Sequence, residues 1–188
     1  LSFRKRRNLI LSRIKKMVNP YQISFKWELK MSSTEIHEGG CSCGAVRYQT
    51  IGQPARTGVC HCRYCQLRAG SAFGTLVYFK KDNIEILEGD LSDYEFVTEM
   101  GKKWKNQFCS CCGTTILMHL EAWPGDIGVA GGTFDPPTFW YELSGEVFMR
   151  SKGHFVGEIS APRKMDTWFN YEPKEAVEAR TDGSRNKK

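Results

Sequence analysis

The sequence predicts a mainly β domain, two packed antiparallel sheets with metal knuckles at one end and few short helices. Three observations carry this. Short runs of β-forming residues recur from Ile36 onward, Gly, Asp, Asn or Ser punctuates most of the gaps, and the cysteines fall into tight clusters. The expected strands are Ala45–Gln49, Gly74–Lys80, Ile84–Leu87, Tyr94–Thr98, Trp104–Phe108, Thr114–Leu120 and Asp126–Ala130. Glu146–Arg150 and His154–Ile159 follow near the C-terminus. Only Arg63–Ala69, and a weaker segment Lys174–Arg180, read as helical. With 188 residues the chain fits one domain with two loose ends.

Those ends differ from the body. Residues 1–30 carry nine Lys or Arg against one acid, Glu28, whereas the remaining 158 residues carry 18 basic and 20 acidic groups. The body is therefore not a basic nucleic-acid binder; any such contact would come through the leader. Ile10, Ile14, Met17 and Val18 recur at helical spacing among the basic residues until Pro20. This reads as a disordered leader, a targeting segment, or an extension outside the native protein, with Met31 as a conventional start. A single folded domain, holding all the cysteines, is expected over 31–173 and a polar tail over 174–188. No apolar run approaches the ~18–20 residues that a membrane span requires. A cytoplasmic location is expected, or a mitochondrial one if residues 1–30 are a genuine leader.

The eight cysteines carry the chemistry. They stand as Cys41-Ser-Cys43-Gly44, Cys60-His-Cys62-Arg-Tyr-Cys65 and Cys109-Ser-Cys111-Cys112-Gly113. Without a secretory signal the thiols remain reduced, so such clusters bind metal rather than pair as disulfides. Cys41, Cys43, Cys109 and Cys112 are matched half-sites, each ending in a glycine that permits a positive-φ turn and frees amides to point at the sulfurs. Together they make a closed, structural four-sulfur zinc site. Cys60, Cys62 and Cys65 leave a zinc with an open fourth position, suited to an incoming thiol. The trio is also consistent with a second structural site completed by His61 or Cys111, or with an empty reduced cluster. Cys111 reads as a partly exposed bystander, His61 as a loop histidine or a group on the substrate side. His37, His119 and His154 carry no motif.

The strings Gly40-Cys-Ser-Cys-Gly-Ala-Val-Arg-Tyr48, Cys60-His-Cys-Arg-Tyr-Cys65 with Gly70-Ser-Ala-Phe73, and Phe108-Cys-Ser-Cys-Cys-Gly113 resemble the glutathione-dependent formaldehyde-activating enzymes and the related centromere protein V-like domains. The likeness runs from about Glu35 to Tyr171. It implies a β-tent fold and two zinc ions, structural at Cys41, Cys43, Cys109 and Cys112 and catalytic at Cys60, Cys62 and Cys65. It further implies a carbon–sulfur lyase that joins glutathione, as cosubstrate, to formaldehyde, giving S-hydroxymethylglutathione. Glutathione carries two carboxylates, so Arg63 and Arg68, close to the trio in sequence, are expected contacts, against the reading of a solvated face. Ser71, Phe73 and Thr75 are expected near the pocket. The rival reading is a non-catalytic zinc module that binds protein or nucleic acid; a redox sensor built on the clustered thiols is a third.

Overall fold

The computed structural model describes residues 35–98, 100–169 and 171–172. The basic leader, the polar tail and the expected helix Lys174–Arg180 lie outside these residues. Ten strands and one α-helix are present among them: β1 Ile36–Gly40, β2 Arg47–Ile51, β3 Arg56–Cys60, α1 Arg63–Ala69, β4 Gly74–Lys80, β5 Ile84–Glu88, β6 Leu91–Val97, β7 Lys103–Cys109, β8 Thr115–Leu120, β9 Asp126–Ala130 and β10 Gly145–Val147. They form a three-stranded antiparallel sheet, β1-β2-β5, and a seven-stranded sheet, β10-β3-β4-β9-β8-β7-β6. Neither closes into a barrel. The larger sheet is antiparallel except at its β10–β3 edge, which runs parallel.

β4 explains why the larger sheet is covered on both faces. Its run Leu76-Val-Tyr-Phe79 is buried throughout, and alternate side chains leave opposite faces of a strand. Val77 and Phe79 join Tyr48, Ile116, Val129 and Phe134 in one core cluster. Leu76 and Tyr78 join Trp104, Met118, Leu120 and the Cys60–Cys62–Cys65 trio in the other. The cysteine trio is thus part of the second core rather than an appendage to it.

The expected and observed strands differ at the edges. His154–Ile159 is not a strand; Val156 instead donates its N–H to the Gly153 carbonyl in a turn. The segment that does pair with β10 lies further on, where Glu146 donates to the Arg163 carbonyl and Met165 donates to Glu146. β3 was not expected. Arg56-Thr-Gly-Val-Cys60 has weak intrinsic strand character, and its extended form comes from partners on both sides, β4 and β10.

Candidate metal centre and its adjoining cavity

The first cluster is built by two similar turns. Gly44 N–H donates to the Cys41 carbonyl and Gly113 N–H to the Cys109 carbonyl, both at positive φ, 78° and 73°. The Val46 N–H then points at Cys41 Sγ at 3.2 Å. These turns bring the ligand sulfurs of Cys41, Cys43, Cys109 and Cys112 within 4.8 Å of one another. Cys41–Cys43 and Cys43–Cys109 are 3.4 and 3.8 Å apart. A tetrahedral zinc with Zn–S bonds of 2.3 Å requires sulfurs about 3.8 Å apart. The four residues therefore fit such an ion.

Their protonation points the same way. The Ala45 N–H favours the Cys43 thiolate, but hydrogen bonding with Cys41 and Cys112 outweighs it and pushes the thiol up to about 12. Hydrogen bonds from Thr114 and Ser42 hold Cys112 down at about 5. Four adjacent thiolates cannot coexist without a cation, and protons shared unevenly among them are the substitute. Cys111 is exposed and outside the cluster.

The second cluster forms where β3 runs into α1. Cys60 ends the strand and Cys62 caps the helix at φ −61°, ψ 153°. Cys65 lies one turn later, three residues from Cys62 and so on the same helical face. Gly70, in the left-handed conformation, terminates the helix by donating to the Gln66 carbonyl. The three sulfurs lie within 4.8 Å of one another, and all three residues are buried. This donor set also fits a zinc ion. Hydrogen bonding with Cys62 and Cys65 pushes Cys60 well up, whereas hydrogen bonds from Cys60 and Cys62, with the Arg68 charge, hold Cys65 well below the ordinary thiol range. Hydrogen bonding and the Arg68 charge therefore both favour the thiolate form at Cys65.

Arg68 sits behind that thiolate. A Cβ at Gly74 would lie 2.3 Å from Arg68 Nη2 and 3.2 Å from Cys65 Cβ, so the glycine is what admits the guanidinium. A buried brace supports the loop from the other direction. His61 and Glu146 are both 0% exposed, with His61 Nε2 and Glu146 Oε1 at 2.9 Å, and Lys152 Nζ donates to the same oxygen at 2.8 Å. The Phe73 ring meets His61 edge-on at 5.6 Å. His61 is therefore neither a surface loop residue nor a cavity residue; it ties the Cys60–Cys62 turn to β10.

Beside the trio lies a cavity of about 260 Å³, with Cys60 and Cys62 in its wall. Neither Arg63 nor Arg68 lines it. Arg63 is exposed on α1, and Arg68 turns toward Cys65. Ser71, Phe73 and Thr75 do not line it either. The arginines that do are Arg56 and Arg163. Arg56 stacks over Trp123 at 4.3 Å and is tethered by Asp126, which also accepts from Lys80 at 2.7 Å. Arg163 donates through Nε to the Ser144 carbonyl at 3.2 Å. Sequence reasoning missed both: Arg163 lies far along the chain from the trio, and Arg56, although on the strand that ends at Cys60, carries no motif, so only the fold brings the two together at the cavity.

The sequence model of the family described as glutathione-dependent formaldehyde-activating enzyme matches residues 36–151. The chain belongs to this family. The matched span contains all seven clustered cysteines, but it ends before Arg163 and the Met165–Trp168 wall of the cavity. A crystal structure of a Rhodobacter sphaeroides protein, a structural genomics target, is similar at 23% identity. The match has a TM-score of 0.44 and covers 56% of this chain and 96% of that one. Membership in the family suggests glutathione-dependent formaldehyde activation, and the two cysteine groups have the arrangement of metal ligands. Among the described residues no helix is long and apolar enough to cross a membrane.

Proposed function

We propose that the protein is a zinc-dependent carbon–sulfur lyase that makes and breaks the adduct of a small thiol, glutathione, with an aldehyde of the formaldehyde type. The observation that carries this reading is the buried Cys60–Cys62–Cys65 trio opening onto a cavity. Cys41, Cys43, Cys109 and Cys112 would hold the structural zinc, and Cys60, Cys62 and Cys65 the catalytic one. Zinc bound by the trio would supply Lewis acidity, which keeps a neighbouring substrate thiol ionised near neutral pH.

The chain's own residues account for the rest. Arg163, exposed at the cavity's edge, and Arg56, half exposed, offer guanidinium forks to the two glutathione carboxylates. Arg56 is held in place by Trp123 and Asp126, so little freedom is lost when it binds. Trp104, Leu76 and Val147 line the cavity beside the trio, and an apolar surrounding of this kind strengthens electrostatic interactions. Arg68 favours the thiolate form of Cys65. The His61–Glu146–Lys152 brace fixes the turn that presents Cys60 and Cys62.

The test is exchange NMR of glutathione with labelled formaldehyde, using the zinc-loaded protein. Wild type should accelerate S-hydroxymethylglutathione exchange and Cys62→Ala should not; no acceleration by wild type refutes the reading. The alternative of a non-catalytic interaction module draws its support from the composition of residues 1–30 and offers no role for a cavity at the trio.

A further inference from the structure

The cavity beside the trio is much larger, and much more apolar, than formaldehyde needs. Its walls include Trp104, Trp123, Trp168, Leu76, Leu120 and Met165. A hydroxymethyl group has two heavy atoms and presents almost no apolar surface. An apolar cavity of about 150 Å³ accepts benzene, and this one is about 260 Å³. Glutathione does not suit the space either, because two carboxylates, an ammonium group and two amides would lose water against tryptophan and leucine. Its polar atoms match Arg56, Arg163, Thr57 and Ser144, which also line the cavity.

The aromatic walls are set before any ligand arrives. Tyr78 and Trp123 meet edge-to-face at 4.8 Å, and Trp123 and Trp168 pack at 5.0 Å. Arg56 over Trp123 fixes that indole from its other side. Rings held this way offer faces and edges to a flat apolar group at little cost in ordering.

We infer that the cavity takes the carbon half of the adduct, and that the preferred aldehyde is an apolar one of ring size, of the benzaldehyde class, with formaldehyde the poorer substrate. The inference rests on the thiol–aldehyde reading above and names its substrate class. The step balances without a further reactant. The thiol S–H adds across the carbonyl, the S–C bond forms, and the C=O π pair moves to oxygen, which gains the proton the thiol gave up. Reversal breaks the same S–C bond and returns thiol and aldehyde. Glutathione lies over Arg56 and Arg163 with its sulfur at Cys60 and Cys62, and the aldehyde's ring lies between Trp104 and Trp168.

The test uses the full 188-residue chain loaded with zinc. S-benzylglutathione and S-methylglutathione are titrated against tryptophan fluorescence, and initial rates are measured for glutathione with benzaldehyde and with formaldehyde. Burying the phenyl ring should make the benzyl conjugate bind at least about tenfold more tightly than the methyl one. Benzaldehyde should show the higher kcat/KM, and Trp168→Ala should reduce the binding ratio to below about threefold. Equal binding of the two conjugates, or an undiminished ratio in Trp168→Ala, overturns the inference. So does a preference for formaldehyde, which leaves the thiol–aldehyde reading intact. Failure to turn over either aldehyde removes that reading and this inference with it.

Discussion

Replacing Glu146 by alanine is the most informative perturbation of the scaffold behind the trio. Glu146 is fully buried on β10 and accepts from His61 at 2.9 Å and from Lys152 at 2.8 Å. Burial alone would raise its carboxyl; Lys152 and His61 outweigh it, so the group stays below the usual carboxylate range and ionised. Each charge-assisted bond contributes about 1.5 kcal/mol, so losing both costs about 3 kcal/mol. That is the lower end of the roughly 3–5 kcal/mol seen when a buried pair loses one partner, since Lys152 can still reach water. For a domain of this size the melting temperature should fall by roughly 6–12 °C, read by calorimetry. Glu146→Gln, which keeps the shape and an acceptor oxygen, should fall less. A melting temperature for Glu146→Ala within about 2 °C of wild type would refute the claim that this brace holds the Cys60–Cys62 turn.

Three further outcomes are expected. Arg163→Ala should raise KM for glutathione about tenfold with kcat within about twofold, in steady-state assays, because a carboxylate fork is lost and the reacting atoms are untouched. Asp126 is buried, and although burial would raise its carboxyl, hydrogen bonds from Lys80 and Arg56 leave it depressed. Its contribution is complete above about pH 4 and is lost as pH falls through the folded-state value, so urea midpoints should drop more steeply between pH 6 and pH 3 in wild type than in Asp126→Asn. Cys109→Ser, at a position 1% exposed, should lower bound zinc from about two to about one per chain by mass spectrometry and destabilise the fold, since a structural zinc contributes directly to folding.

Much of this was legible in the sequence where chemistry is local. α1, β4 and β9 have the bounds expected from their residues, because each is set by its own pattern: a cysteine-capped turn ending in glycine, an apolar run, and a short β-forming segment between turn residues. The cysteine groupings were legible because glycine and spacing encode the two turns. β3 and β1 were not, since Arg56-Thr-Gly-Val-Cys60 and Ile36-His-Glu-Gly-Gly40 become strands only through their neighbours. Gly39 shows why β1 looks weak in isolation: a Cβ there would lie 2.3 Å from the Tyr48 hydroxyl and 2.4 Å from the Thr133 carbonyl oxygen. The strand expected at His154–Ile159 carries Phe155, Val156 and Ile159 but pairs with no strand among the described residues, and pairing decides. The cavity was invisible because Arg56, Trp104, Trp123 and Arg163 meet only after the sheet is assembled. Proximity in sequence pointed instead to Arg63 and Arg68, of which the second serves Cys65 from behind.

The central claim is that seven cysteines divide four and three around two ions. A zinc-edge anomalous difference map of crystals of the purified protein tests it directly. The expected result is two peaks, one about 2.3 Å from the sulfurs of Cys41, Cys43, Cys109 and Cys112 and one at the same distance from those of Cys60, Cys62 and Cys65. A single peak at the first group, with none at the trio, would contradict the proposed chemistry.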